Sequence, residues 1–398
     1  MLFLRSLKEA PIEKKRILMR VDFNVPVDKN GNIIDDTKIR AAIPTIEYIL
    51  AQKGQLILMS HFGRPKGEPV EKYSLKKIAE HLNSLIEAEV IMAPDCIGPE
   101  IERMVENMNP GQVLLLENVR FHPGEEENDP EFTRKLASVG DIFVNDAFGS
   151  AHRAHSSTAG LADYLPAYAG FLLEKEVYML KKVLENPERP RLAILGGAKI
   201  KDKLGLIEHL LNKMDSILIG GGMANTFLLA QGTSIGRSIC EEKQVPEAQK
   251  LLQRAREMKV QLLLPVDVVV AEEIASNARA SIVEADQIPE NLMIVDIGPK
   301  TIQAFAGAIA KAKTVVWNGP LGVFEIDQFA EGTKQVALAL AQSQAISVVG
   351  GGESVAAVRK FGVEKHITHI STGGGATLEF LEGIALPGVR ACDRVLQY

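Results

Sequence analysis

The stretch Ile17-Leu18-Met19-Arg20-Val21-Asp22-Phe23-Asn24-Val25-Pro26 passes from large apolar residues into a polar-rich turn. Consecutive apolar side chains without polar alternation suit a strand covered on both faces, as in a parallel sheet. The same change recurs three times. Leu56-Ile57-Leu58-Met59 leads into Ser60-His61-Phe62-Gly63-Arg64-Pro65, Val113-Leu114-Leu115-Leu116 leads into Glu117-Asn118-Val119-Arg120-Phe121, and Ile142-Phe143-Val144 leads into Asn145-Asp146-Ala147-Phe148-Gly149, with His152, Arg153 and His155 just beyond. Helical spacing fills the gaps. From Ser74, read as an N-cap, Leu75, Ile78, Leu82, Leu85 and Ile86 return every three or four residues. A second candidate runs from about Asp36 through Ile39, Ile43, Ile46 and Ile49, where Pro44 predicts a kink or an earlier break.

The second half repeats the alternation with Leu192-Leu195, Ile217-Ile219, Leu262-Leu264, Met293-Val295, Val315-Trp317 and Ser347-Val349 as strand-like runs. Between the halves lies a charged helical segment, Glu174 to Glu185, closed by Asn186-Pro187 and Arg189-Pro190. The pattern predicts an α/β protein with two units built on parallel sheets, joined by an interdomain helix and a stiff turn at 173–190.

The chain has 398 residues, which at roughly 150 residues per domain gives two or three domains, two being the simpler expectation. Its formal net charge of -6 argues against a general attraction to nucleic acid or an anionic membrane, so any anion site must be local. Cys96, Cys240 and Cys392 are far apart and outside any CxxC spacing, which fits a reducing compartment, and charges interrupt the apolar start too early for a signal or a membrane span. A cytoplasmic location is the expectation. The acidic run Glu125-Glu126-Glu127-Asn128-Asp129 reads as a solvated loop.

In a parallel sheet, loops converge at the carboxyl ends of the strands, so His61, Arg64, Arg120 and Arg153 are expected around one small anion. Guanidinium groups present a planar fork that matches phosphate or carboxylate oxygens. Asp22 and Asn24 are placed to accept bonds from substrate hydroxyls. His152 and His155 lack a carboxylate at ligand spacing and read as structural hydrogen-bonding groups.

The second half carries the glycine clusters Gly196-Gly197, Gly220-Gly221-Gly222, Gly350-Gly351-Gly352 and Gly373-Gly374-Gly375. Glycines between a strand and a helix expose backbone N–H groups that cradle phosphate oxygens. None fits GxxxxGK[ST] or a complete GxGxxG unit, which disfavours P-loop and dinucleotide enzymes. Lys199 and Lys203, read as one turn apart at a helix start, are expected to reach the same phosphate chain. The loop Trp317-Asn318-Gly319-Pro320-Leu321-Gly322-Val323-Phe324-Glu325 supplies a carboxylate suited to a ribose diol, with Trp317 itself read as core. Glu353, after three glycines, makes sense near a polyphosphate chiefly if Mg²⁺ intervenes, and otherwise as a first-turn helix acid.

Taken in order, RVDFNVP at 20–26, SHFGRPKG at 60–67, LLLENVRF at 114–121, NDAFGSAHRAHSS at 145–157, GGAKIKDK at 196–203, GGGMANTFL at 220–228, WNGPLGVFE at 317–325 and STGGGATLEFLEG at 371–383 resemble the phosphoglycerate kinase family over essentially the whole chain. The resemblance implies a monomer with two Rossmann-like domains. It implies an N-terminal domain, 1–172, for 3-phosphoglycerate or 1,3-bisphosphoglycerate, an interdomain segment, 173–190, a C-terminal domain, 191–383, for ADP or ATP with Mg²⁺, and a tail, 384–398, returning to the first domain. It assigns Asp22, Asn24, Lys38, His61, Phe62, Gly63, Arg64, Arg120 and Arg153 to the acid substrate. It assigns Lys203, Asn318, Pro320, Glu325, Gly351, Gly352, Glu353 and Ser354 to the nucleotide, Glu353 to the metal, and Lys38, Lys199, Gly374 and Gly375 to the transferring group.

Two positions depart from the family pattern. Lys38, in Asp36-Thr37-Lys38-Ile39, stands where arginine is usual, keeping the charge and losing the fork. Arg40 does not substitute for it, because two residues turn a helix by about 200°. Glu353 stands where aspartate is usual. These departures leave a catalytically impaired relative as one alternative, and a nicotinamide-dependent oxidoreductase is the other.

Overall fold

The computed structural model describes residues 2–185 and 187–394. Asn186 of the expected Asn186-Pro187 turn, and the last four residues of the expected tail, lie outside the described residues. The chain forms two compact units, one of residues up to Tyr178 together with those from Ala385 onward, the other Met179–Ile384.

The first unit holds a six-stranded parallel sheet of β1 (Arg16–Arg20), β2 (Gln55–Met59), β3 (Val90–Met92), β4 (Val113–Leu115), β5 (Ile142–Asn145) and β6 (Ala167–Ala169), in the order β3-β4-β2-β1-β5-β6. Ile17 and Met19 of β1 and Leu56 and Leu58 of β2 pack into one core. Leu18, Ile57 and Met59 pack into a second core on the opposite face. Burial on both faces is why these runs lack polar alternation. The strand order reverses at β1, with β2 on one side and β5 on the other, so the loops after these strands diverge to frame a crevice.

The second unit holds a six-stranded parallel sheet of β7 (Arg191–Leu195), β8 (Ser216–Ile219), β9 (Gln261–Leu263), β13 (Thr314–Asn318), β14 (Ile346–Gly350) and β15 (His369–Ile370), in the order β15-β14-β13-β7-β8-β9. Its reversal lies between β7 and β13, both followed by glycine turns. Trp317 is fully buried in this core, as read from its strand.

Several local expectations are corrected. Met293–Val295 is not in the parallel sheet. It belongs to β12 (Met293–Ile297), which with β10 (Asp267–Ala271) and β11 (Ala280–Glu284) forms a separate antiparallel sheet. The first three residues of β11 are exposed, so apolar patterning gives little sign of that sheet. The helix Thr37–Ala51 runs through Pro44 without a break, because Ile39, Ala42, Thr45, Ile46 and Ile49 are buried on its inner face. That burial outweighs the roughly 3 kcal/mol cost of an internal proline. Leu75, not Ser74, is the N-cap of the helix Lys76–Asn83, which ends before Leu85, and the Ser74 hydroxyl donates instead to Glu117 at 2.7 Å. The charged helix begins earlier than read, at Phe171, and ends at Leu184.

The segment after Ile384 lies with the first unit. The Arg5 N–H donates to the Cys392 carbonyl at 2.9 Å, the Gly388 N–H to the Ala151 carbonyl at 2.8 Å, and Asn145 Nδ2 to the Gly388 carbonyl at 3.1 Å. Among the described residues no helix is long and apolar enough to cross a membrane.

Candidate active site

In the first unit a cleft of about 240 Å³ is lined by Asp22, Asn24, Lys38, His61, Gly63, Arg64, Arg120, Gly149, Ser150, His152 and Arg153. The loops after β1, β2 and β5, the turn that follows β4 and the start of the helix Thr37–Ala51 all contribute. Every acid-site residue expected from the sequence is present except Phe62. Its side chain is buried in the core and meets Tyr73 edge-on, with ring centroids 6.3 Å apart.

A chain of hydrogen bonds positions the cleft. Asn118 Oδ1 accepts the N–H of Phe62 at 3.2 Å and that of Arg120 at 3.1 Å, tying the two loops together. Asn24 Oδ1 accepts the Gly63 N–H at 3.0 Å, and Arg120 Nη1 donates to the Gly63 carbonyl at 3.0 Å. Gly63 has φ +62°, and an added Cβ would lie 2.3 Å from the Tyr73 ring, so this position requires glycine. Lys38 Nζ pairs with Asp22 Oδ2 at 2.9 Å, and Arg120 Nε lies 3.2 Å from Glu126. Arg64 and Arg153 are exposed.

Beneath the cleft lies a buried charged layer that sequence reasoning missed. Arg20 is fully buried, and its Nε donates to Ser157 Oγ at 2.7 Å while Nη2 lies 3.0 Å from His61 Nδ1. Glu125, read as solvated, is fully buried and accepts from the Ser157 N–H at 2.9 Å and the Ser157 hydroxyl at 2.5 Å. The correction has a physical reason: a buried guanidinium needs a compensating carboxylate nearby, and Glu125 supplies it. Burial pushes Glu125 up against the opposing pull of Arg20 and Ser157.

Burial holds His61 well below the ordinary imidazole value, with Arg20, Arg120 and Lys38 adding to the effect. His155 is lowered to about 4, first by burial and then by Arg120 and Arg20. A guanidinium only donates, so His61 Nδ1 accepts from Arg20 and the ring proton sits on Nε2. His61 therefore offers the cleft a neutral N–H donor.

In the second unit Lys203 is nearly buried. Its Nζ donates to the carbonyls of Gly196 and Asn318, the latter at 3.1 Å. Asn318 Nδ2 donates to the Gly350 carbonyl at 3.0 Å, and the Gly319 N–H donates to Ser354 Oγ at 2.5 Å. The glycine turns after β7, β13 and β14 are thus joined through Lys203, Asn318 and Ser354. An added Cβ on Gly196 would lie 1.9 Å from the Pro320 carbonyl oxygen, so only glycine permits this approach. Burial lowers Lys203 to about 8, against the opposing effect of Glu353 and Asp202.

Lys199 is exposed and lies before the short 3-10 turn Lys201–Lys203, so the two lysines do not share one helix as expected. Lys203 holds the loops after β7 and β13 through the Gly196 and Asn318 carbonyls. Gly351 caps the helix Gly352–Lys360, which carries exposed Glu353 in its first turn. Gly374, with φ +51°, caps the helix Gly375–Leu381. Glu325 is exposed, and its backbone carbonyl accepts from Lys360 Nζ at 3.3 Å.

A family model described as phosphoglycerate kinase matches residues 7–384. The chain belongs to the phosphoglycerate kinase family. Phosphoglycerate kinase of Moorella thermoacetica is 56% identical over 386 residues, covering 97% of this chain and 98% of that protein. The Pelotomaculum thermopropionicum protein of the same name is 53% identical over 387 residues, covering 97% and 98%. The solved phosphoglycerate kinase of Coxiella burnetii superposes with a TM-score of 0.91 at 44% identity, covering 98% of this chain and 99% of that one. The Pyrococcus horikoshii OT3 enzyme gives 0.82 at 34% identity, covering 98% of each. Both sheets are accordingly Rossmann-like, and the chain is a kinase of this family, which sets aside the oxidoreductase alternative.

Proposed function

We propose that the chain transfers a phosphoryl group reversibly between 1,3-bisphosphoglycerate and ADP, yielding 3-phosphoglycerate and ATP, as a cytoplasmic monomer that uses Mg²⁺. The observation that carries this reading beyond family membership is the cleft of about 240 Å³ bearing Lys38, Arg64, Arg120 and Arg153 with Asp22 and Asn24. Its size and charge suit a small phosphorylated acid. In this reading the arginine forks bind phosphate and carboxylate oxygens, Asp22 and Asn24 receive hydroxyls, and the His61 N–H donates to an anionic oxygen.

In the forward direction an oxygen of the ADP β-phosphate attacks the acyl phosphorus. The bond from phosphorus to the carboxyl oxygen breaks, and 3-phosphoglycerate leaves as a carboxylate. The attacking oxygen carries no proton that must be removed, and the leaving carboxylate needs none, so no general base is required. Catalysis rests on positioning and charge neutralisation by Lys38, Lys199 and the N–H groups of the Gly374-Gly375 turn. In the nucleotide's site, Lys203 with Asn318, Pro320, Gly351, Gly352 and Ser354 shapes the phosphate cradle, and Glu325 takes the ribose. Because the acid and the nucleotide are assigned to different units, we assign their meeting to hinge closure at 173–190.

Glu353 offers one exposed carboxylate, and no second carboxylate joins it in a three-ligand cluster among the described residues. Mg²⁺ is commonly held by one or two carboxylates together with substrate phosphates and water, so this single oxygen donor fits. When bound, the ion supplies neutralisation of phosphate charge.

A coupled assay with 3-phosphoglycerate, ATP and Mg²⁺ tests the reading, and absence of turnover overturns it. Lys38→Ala should lower kcat by about 10²-fold while Lys38→Arg stays within about tenfold of the parent, since loss of a charge aimed at the transition state costs roughly 3 kcal/mol. Equal losses in both variants would point to a packing role for Lys38.

A further inference from the structure

Asp95, Cys96 and His122 lie outside the cleft and have no part in the reaction proposed above. A carboxylate oxygen of Asp95, Cys96 Sγ and a ring nitrogen of His122 all lie within 4.8 Å of one another. We propose that these three side chains form a binding site for a transition-metal dication of the zinc class, separate from the Mg²⁺ of the nucleotide.

The donor set selects the metal. A thiolate, an imidazole and a carboxylate together suit Zn²⁺ or Co²⁺, whereas Mg²⁺ and Ca²⁺ prefer oxygen donors throughout. Three protein ligands leave a fourth position for water, as in open tetrahedral sites.

The site is held in place from two directions. Asp95 and Cys96 are neighbours in the loop after β3, where the Cys96 N–H donates to Asp95 Oδ1 at 2.6 Å and the Glu117 N–H donates to the Asp95 carbonyl at 3.3 Å. His122 follows the turn after β4. Its ring lies against Phe132 with centroids 5.4 Å apart, and its Nε2 is 2.7 Å from Asp95 Oδ1. Cys96 is fully buried, whereas the side chains of Asp95 and His122 are 46% and 28% exposed, so two of the three donors reach solvent.

On binding, the S–H bond breaks, its proton passes to solvent, and the sulfur lone pair goes to the metal.

The test is titration of the purified full-length chain with Co²⁺ alone. The expected result is one equivalent bound with a thiolate-to-cobalt charge-transfer band, displaced by Zn²⁺. Cys96→Ser should abolish the band, Cys240→Ser should retain it, and His122→Gln should weaken binding by at least about tenfold, since even second-shell losses cost that much. Because a buried Cys96 variant can fail to fold, partly exposed His122 gives a second arm. Zn²⁺ should raise the thermal midpoint of the parent chain and, at the same concentration, raise that of His122→Gln by less. No band in the parent, a band that survives Cys96→Ser, or an equal thermal shift in His122→Gln would each overturn the site and leave a hydrogen-bonded structural cluster. None of these readouts depends on phosphoryl transfer, so the site and the reaction fail separately.

Discussion

At Nδ1, 3.0 Å from a guanidinium that can only donate, the His61 ring must accept. A bare histidine titrates near neutrality and has two tautomers of similar energy. Here burial, Arg20, Arg120 and Lys38 all disfavour the imidazolium. His61 should stay neutral on acidification through the usual imidazole midpoint of about 6.5, because burial lowers its folded value. Nitrogen chemical shifts of the imidazole check this, with the proton expected on Nε2. A protonated ring, or a proton on Nδ1, would contradict the assigned role of Arg20. The sign for stability follows: with the folded value lowered, the contribution is full above about 6.5 and is lost as pH falls through the folded value.

Elements bring their own tests, and the turn after β2 is the most constrained. Gly63→Ala combines a left-handed backbone with a Cβ lying 2.3 Å from the Tyr73 ring. It should cost about 2–4 kcal/mol in a urea titration and raise KM for 3-phosphoglycerate, because Arg120 bonds the Gly63 carbonyl. The end of β5 presents a second case. Asp146, fully buried, accepts from the N–H groups of Leu172 at 2.8 Å and Leu173 at 3.1 Å through Oδ1 and so caps the helix Phe171–Leu184. Burial raises its carboxyl to about 7, against the opposing effect of hydrogen bonds from Thr45 and the helix start. A raised folded value means that this contribution is complete below about pH 4 and is lost as pH climbs toward 7. Asp146→Asn keeps the Oδ1 acceptor and removes the titration. Relative to the parent chain it should therefore gain roughly 2–3 kcal/mol between about pH 5 and pH 7. Urea midpoints at the two pH values decide the matter, and a constant difference refutes it.

Across the whole molecule, the first unit is discontinuous and depends on the far end of the chain. Leu386, Val389 and Cys392 are all buried, and Asp393 bridges to Leu4. A chain ending at Ile384 loses these side chains, each worth about 1.5–3 kcal/mol of burial. Hydrogen exchange should then show β1 and β5 losing protection while β7 and β13 keep theirs. Equal loss in both sheets would show that the units do not fold as separable bodies.

Much of this was legible in the residues alone. Unbroken apolar runs such as Ile17-Leu18-Met19 announced doubly covered strands, and the polar groups after them announced the cleft, because in a parallel sheet the loops leave at the carboxyl ends of the strands. Glu125 was not legible. A glutamate in an acidic run looks solvated until a guanidinium distant in sequence is folded against it. The antiparallel sheet was hidden for the opposite reason, since β11 exposes most of its side chains and carries little apolar signal. Sequence by itself determined the fold class, the family and the positive lining of the cleft, since these rest on local residue chemistry and order. Only tertiary structure decided that Arg20 sets the proton of His61, that Lys203 clamps two carbonyls, and that Asp95, Cys96 and His122 converge, because each depends on distances between segments that the chain order leaves free.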